Sequence, residues 1–117
     1  MRRNRRDSPH PPSPIYDSFY VPKKGWDETK PGTVLASRNI QAGFTKTQKI
    51  NLDGAYQLLY RTSGVDDKSP SYSVTTVLVP KNARPNKLVL IMAYEDSNFV
   101  ECAPSYKIQL GAPLETN

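Results

Sequence analysis

One histidine, His10, and one cysteine, Cys102, are the only residues of their kinds in 117, and that scarcity limits the chemistry this chain can carry. A hydrolytic serine needs a base within hydrogen-bond reach. The sole imidazole sits in an Arg- and Pro-rich stretch, a poor place for a general base. A nucleophile elbow, G-x-S-x-G, needs two glycines four positions apart. The glycines stand at Gly25, Gly32, Gly43, Gly54, Gly64 and Gly111, and no pair has that spacing. The same positions exclude a P-loop and a dinucleotide fingerprint. A Cys/His metal centre cannot be assembled from this inventory, so no such metal site is expected.

One polar group stands out. The apolar run Leu88-Val89-Leu90-Ile91-Met92-Ala93 ends in Tyr94-Glu95-Asp96-Ser97. Carboxylates directly after a buried strand lie at the edge where open α/β sheets place their ligands. A second reading is a solvated turn in which Asp96 caps the following segment. Asp and Ser are ordinary loop residues, so both readings stand on the residues alone.

Four segments have strand character and must position that loop. Residues 33–40 mix β-branched and apolar side chains. Residues 55–62 alternate, with Tyr56, Leu58 and Tyr60 on one face and Gln57, Leu59 and Arg61 on the other. Residues 72–79 are rich in Val and Thr, whose branched side chains favour strands, and they close at Pro80. Residues 87–94 form the most apolar run; unbroken rather than alternating, it predicts a central strand buried on both faces. Residues 63–70 suit a hairpin loop, and 82–86 a turn. Pro31-Gly32 is turn chemistry. Residues 27–30 suit one helical turn, with Trp26 an anchor before it. No amphipathic helix longer than two turns is predicted. A doubly buried strand needs a covering layer on each side, and three other strands with little helix cannot supply both, so the sheet is expected to be incomplete.

Residues 1–15 are poor in apolar content and are expected to form a disordered Arg/Pro-rich tail. Pro11-Pro12-Ser13-Pro14 also has the composition of a short polyproline ligand. Residues 16–117 are read as the folded portion, with Tyr16, Phe19 and Tyr20 packing onto the body by their rings. The formal charge of +5 is concentrated at the start: setting aside Arg2, Arg3, Arg5 and Arg6 leaves 12 basic against 11 acidic residues. A nucleic-acid binder carries its basic face on the folded part, so none is expected here. Hydrophobic residues make up 37%, and no run approaches the roughly 18 apolar residues of a membrane span. The basic start is followed by no apolar stretch of the kind a secretion signal requires.

The order of these segments resembles the fungal secretory lipase family, which includes yeast extracellular triacylglycerol lipases. The blocks that carry the likeness are Asp17-Ser18-Phe19-Tyr20, Lys30-Pro31-Gly32-Thr33-Val34-Leu35 with Ser37-Arg38, Tyr56-Gln57-Leu58-Leu59-Tyr60-Arg61-Thr62, Val74-Thr75-Thr76-Val77-Leu78-Val79-Pro80, and Asn86-Lys87-Leu88-Val89 through Glu95-Asp96-Ser97 to Cys102-Ala103-Pro104-Ser105-Tyr106. The resemblance implies the N-terminal part of an α/β-hydrolase fold, cut before the Ser/Asp/His triad, whose residues would lie past Asn117. It implies a lipid ester substrate, an extracellular setting and no cofactor. Asp96 then resembles a residue of the first oxyanion-hole loop, presenting a backbone N–H while its carboxylate fixes the loop. Cys102 resembles one half of a structural disulfide whose partner lies later in the family.

Two other readings remain open. One is a non-catalytic interaction protein, or remnant, that pairs strands or aggregates through an exposed sheet edge. The other is a small independent β-domain of unrelated function.

Overall fold

A computed structural model describes residues 10–44, 48–93 and 98–113. Its body is one antiparallel sheet of three strands, β1 (Val34–Asn39), β2 (Gly54–Ser63) and β3 (Pro70–Val79), in the order β1-β2-β3. Among the described residues, helix is confined to short 3₁₀ turns at Ser18–Tyr20, Trp26–Glu28 and Val100–Cys102, and to a single α-turn, α1, at Pro104–Lys107. Among the described residues no helix is long and apolar enough to cross a membrane.

The first three expected strands form at nearly their expected limits. β2 and β3 pair without interruption from Gly54↔Val79 to Ser63↔Pro70. Pro70 is tolerated because it opens its strand, where no ladder donor is required. Between them the loop folds as the turn residues demand. Gly64 N donates to Ser69 O, Asp67 N donates to Gly64 O, and Asp67 takes φ 57°, a left-handed conformation that Asp tolerates. The Asp66 carboxylate accepts the amides of Lys68 and Ser69, at 3.0 and 2.8 Å, and the Ser69 hydroxyl. β1 pairs with the other edge of β2, with a register shift between Val34 and Ala36.

The alternation along β2 decides which face is inner. Ala55, Gln57, Leu59 and Arg61 are buried, while Tyr56 is exposed on the opposite face. The core thus falls on the face that mixes Leu59 with a glutamine and an arginine. Trp26 acts as an anchor, edge-on to Tyr72 with ring centroids 4.9 Å apart. Of the three N-terminal aromatics, Phe19 and Tyr20 meet the body through Arg38 and Ser105, and Tyr16 stays exposed.

A second small core joins the end of the chain to the region after β1. Leu110 N donates to Gln41 O and Gly43 N to Ile108 O, with Ala42 bridged to Gln109. Ala42, Tyr106 and Ala112 are buried there. Gly43 is required by close approach, since a Cβ would lie 2.9 Å from Gln48 O and 2.6 Å from Leu110 Cδ1. Residues 10–14 lie against this segment: His10 Nδ1 is 2.7 Å from Gly111 O, and Ser13 Oγ donates to Glu101 at 2.9 Å.

The fourth expected strand is a correction. Residues 87–93 belong to no strand, and Leu88, Val89, Leu90, Ile91 and Met92 are 78–90% exposed. The central position belongs to β2. Apolar content and β-branching describe what a buried strand needs, but a strand forms only beside another backbone. The described residues offer this run neither a neighbouring strand nor a covering layer.

The hairpin loop predicts an acid response. The hydroxyl and amides of Ser69, with the amide of Lys68, hold the Asp66 carboxyl down to about 2. A depressed folded value makes its contribution fully present above the ordinary carboxylate range, about 4, and lost as pH falls through about 2. Between those limits, protection of the Lys68 and Ser69 amides, measured against the intrinsic exchange rate at each pH, is expected to fall in the parent chain. In Asp66→Ala that protection should be lost at every pH.

Candidate functional site

Gln57, at the middle of β2, is completely buried. Its amide is the hub of a polar cluster drawn from five segments. The Arg38 guanidinium of β1 donates to Gln57 Oε1 twice, from Nε at 3.0 Å and Nη2 at 2.7 Å. Gln57 Nε2 donates to Ser105 O of α1 at 2.6 Å and to Thr76 Oγ1 of β3 at 3.2 Å. The orientation of the amide follows from its neighbours. A guanidinium only donates and a carbonyl only accepts, so the oxygen must face Arg38 and the nitrogen Ser105.

The remaining Arg38 nitrogen, Nη1, reaches Asp17 Oδ2 at 2.8 Å, and the other carboxylate oxygen caps the first 3₁₀ turn through Phe19 N at 3.0 Å. The guanidinium lies over the Phe19 ring, 4.1 Å from its centroid, where the ring face attracts a cation. Tyr20 OH and Ser105 Oγ are 2.8 Å apart, and Gln109 Nε2 adds a second donor to Ser105 O at 3.3 Å. Burial pushes the Tyr20 phenol up, and the Ser105 hydrogen bond and the Arg38 charge only partly oppose it.

The chemistry available here is positional. Ser105 is buried, and its hydroxyl partner is a phenol whose proton is held more tightly than usual, so no base stands ready to activate it. His10, the only imidazole, faces the Gly111 carbonyl, which requires Nδ1 to be the protonated nitrogen. Among the described residues no three His, Cys, Asp or Glu side chains converge to hold a metal ion. A shallow groove of about 260 Å³ runs beside the start of β2, lined in part by Asn39, Lys49, Asp53 and Tyr56, and it holds no Ser, Cys or His.

Asp96, the residue singled out in the sequence, lies outside the described residues, as do Tyr94, Glu95 and Ser97. What can be placed are its flanks. The chain approaches 94–97 through the exposed run ending at Ala93 and leaves it toward the 3₁₀ turn Val100–Cys102 and the clamped Ser105. Cys102 is half-buried at the end of that turn. The Gln57 cluster was not foreseen as a site. Its one sequence signal was a glutamine sharing a strand face with Leu59, where an apolar residue is the ordinary choice.

Comparison with known proteins follows the same stretch of chain. A secreted triacylglycerol lipase of Malassezia restricta is 46% identical over 110 residues, covering 94% of this chain and 24% of the relative. One from Malassezia globosa is 50% identical over 104 residues, covering 89% and 18%. Another from Malassezia restricta is 46% identical over 105 residues, covering 89% and 20%. The chain therefore spans about a fifth of the length of the relatives it matches. No family model matches the chain, and no solved structure matches it.

The cluster predicts a specific loss. In Gln57→Leu the hydrophobic volume is kept, while Ser105 O loses its shorter donor and the Arg38 fork loses its acceptor. Unsatisfied buried groups of this kind cost about 1–3 kcal/mol. Urea unfolding should register that loss, and amide exchange should rise around α1 as well as along β1.

Proposed function

Since the chain belongs to the fungal secretory lipase family over the stretch it shares with these relatives, we propose that it forms the opening section of an extracellular triacylglycerol lipase, a carboxylic ester hydrolase. The observation that carries the reading is identity of 46% sustained across 94% of the chain. In this reading the three-stranded sheet is the beginning of an α/β-hydrolase body. Lipid esters are its substrates, and the triad is supplied by polypeptide beyond these residues.

Within that body, residues 94–97 form the first oxyanion-hole loop. Asp96 presents its backbone N–H to the oxygen on which charge develops, and its carboxylate holds the loop's shape. Such a donor acts only if it is aimed before the reaction begins. The clamp on Ser105 supports this assignment, because it fixes the segment into which the loop leads. Residues 87–93 complete the other flank by becoming a strand once a neighbouring strand lies beside them. Their unbroken apolar character and present exposure support that role. Cys102 forms a disulfide with a later cysteine of the same polypeptide.

Three measurements test the reading. The 117 residues alone should not hydrolyse a p-nitrophenyl ester above buffer. A polypeptide in which they are continued by the remaining sequence of the Malassezia restricta relative should do so, and inactivity of that longer chain would sink the proposal. In the active polypeptide, Asp96→Ala keeps the backbone N–H and removes only the carboxylate that holds the loop, so it should lower kcat by less than the roughly 10²–10³ that outright loss of a donor costs, with little change in KM. Leu90→Asp separates the strand assignment from the rest. It should leave the melting of the 117 residues unchanged, since Leu90 is 78% exposed there, and abolish secretion of folded longer polypeptide.

A further inference from the structure

Arg61 presents the opposite situation to Gln57 on the same strand and the same face. The residue is 7% exposed, and its Nε is buried without a hydrogen-bond partner. Nη1 donates to the neighbouring Thr62 carbonyl, a contact within its own strand. The ion pairs among the described residues are Asp17–Arg38 and Asp53–Lys81, and Arg61 takes part in neither. Its backbone, by contrast, is satisfied: Arg61 N donates to Thr33 O at 2.9 Å, and Arg61 O accepts from Gly32 N at 2.7 Å.

A guanidinium holds its charge at any ordinary pH, so burial with no anion among the described residues carries a desolvation cost. The surroundings narrow the anion that would relieve it. Tyr72 stands directly opposite Arg61 in the β2–β3 register and so shares its face, and Trp26 packs edge-on against Tyr72. Leu59, two residues along the same face, is 1% exposed. An acceptor must neutralise one charge. A carboxylate does so, and its two oxygens match the Nε–Nη edge of the fork. A phosphate dianion would leave a second charge buried without compensation.

We propose that Arg61 is the binding group of a carboxylate site on the inner face of the sheet, taking the singly charged head of a fatty acid or of an acidic side chain. The site is separate from the Gln57 cluster, whose donors and acceptors are already used among themselves, and it does not depend on the lipase reading.

The test uses the 117-residue chain and two probes, sodium acetate and sodium hexanoate, each compared with sodium chloride at equal ionic strength. Acetate stands in for an acidic side chain, and hexanoate adds an aliphatic tail. Thermal melting should shift upward by several degrees with a carboxylate and not with chloride, because a ligand that binds only the folded form stabilises it by mass action. Equal shifts with both probes assign the site to a side-chain carboxylate, and a larger shift with hexanoate assigns it to a fatty acid. Arg61→Met should lose the response. Arg61→Lys, which keeps the charge but not the fork, should lose it too and serves if the methionine variant fails to fold. Absence of any shift beyond chloride, or a response from Arg61→Lys equal to that of the parent, would overturn the proposal.

Discussion

A primary amide with no access to water sits at the centre of this fold, and the rest of the chain is arranged around satisfying it. Gln57 can be buried only if both of its oxygen lone pairs and both of its N–H groups find partners. It finds them in β1 and β3, which flank it in the sheet at Arg38 and Thr76, and in α1. The requirement passes outward. Arg38 must bring Asp17 to balance its charge, and Asp17 in turn caps the turn that lays Phe19 over Arg38. Each link is polar and directional, so the cluster specifies an arrangement that a patch of leucines would leave slack.

That dependence explains why so little regular structure holds so much chain in place. The hydrophobic core is small: among the described residues, Leu59 is its only large apolar side chain buried to the last few per cent beside Tyr106. A core of that size cannot by itself order the N-terminal segment or the segment 98–113. The hydrogen bonds from Ser105 to Gln57, Tyr20 and Gln109, and those from residues 10–13 to Glu101 and Gly111, do that work instead. Arg61 marks where the arrangement is unfinished. It repeats the burial of a polar side chain on β2 without the partners that make Gln57 tolerable.

Local signals were legible in the sequence, and distant ones were not. The hairpin of β2 and β3 follows from alternation, branched side chains and a loop of Ser, Gly and Asp, all of which act within a few residues. The alternation on β2 also separated Gln57, Leu59 and Arg61 from the tyrosines. It could not say which face is inner, because hydrophobicity alone favours Tyr56, Leu58 and Tyr60. The answer depends on Arg38 and Ser105, which are 19 and 48 residues away from Gln57. The run at 87–93 was misplaced for the converse reason. Its composition states a preference for burial, while its actual state depends on whether any other backbone lies alongside.

The same contrast bears on how an oxyanion donor at residue 96 would be held. Such a donor works by being fixed before charge develops, and the tolerance is a few tenths of an ångström. In that reading residues 94–97 would inherit their position from the segments on either side. On the outgoing side the chain reaches Ser105, whose carbonyl and hydroxyl are held from three directions. On the incoming side the backbone of 87–93 has no ladder to fix its height or twist. Pre-organisation therefore hinges on that run acquiring a neighbour. For a donor at residue 96, completing the sheet and aiming the donor would be one and the same requirement.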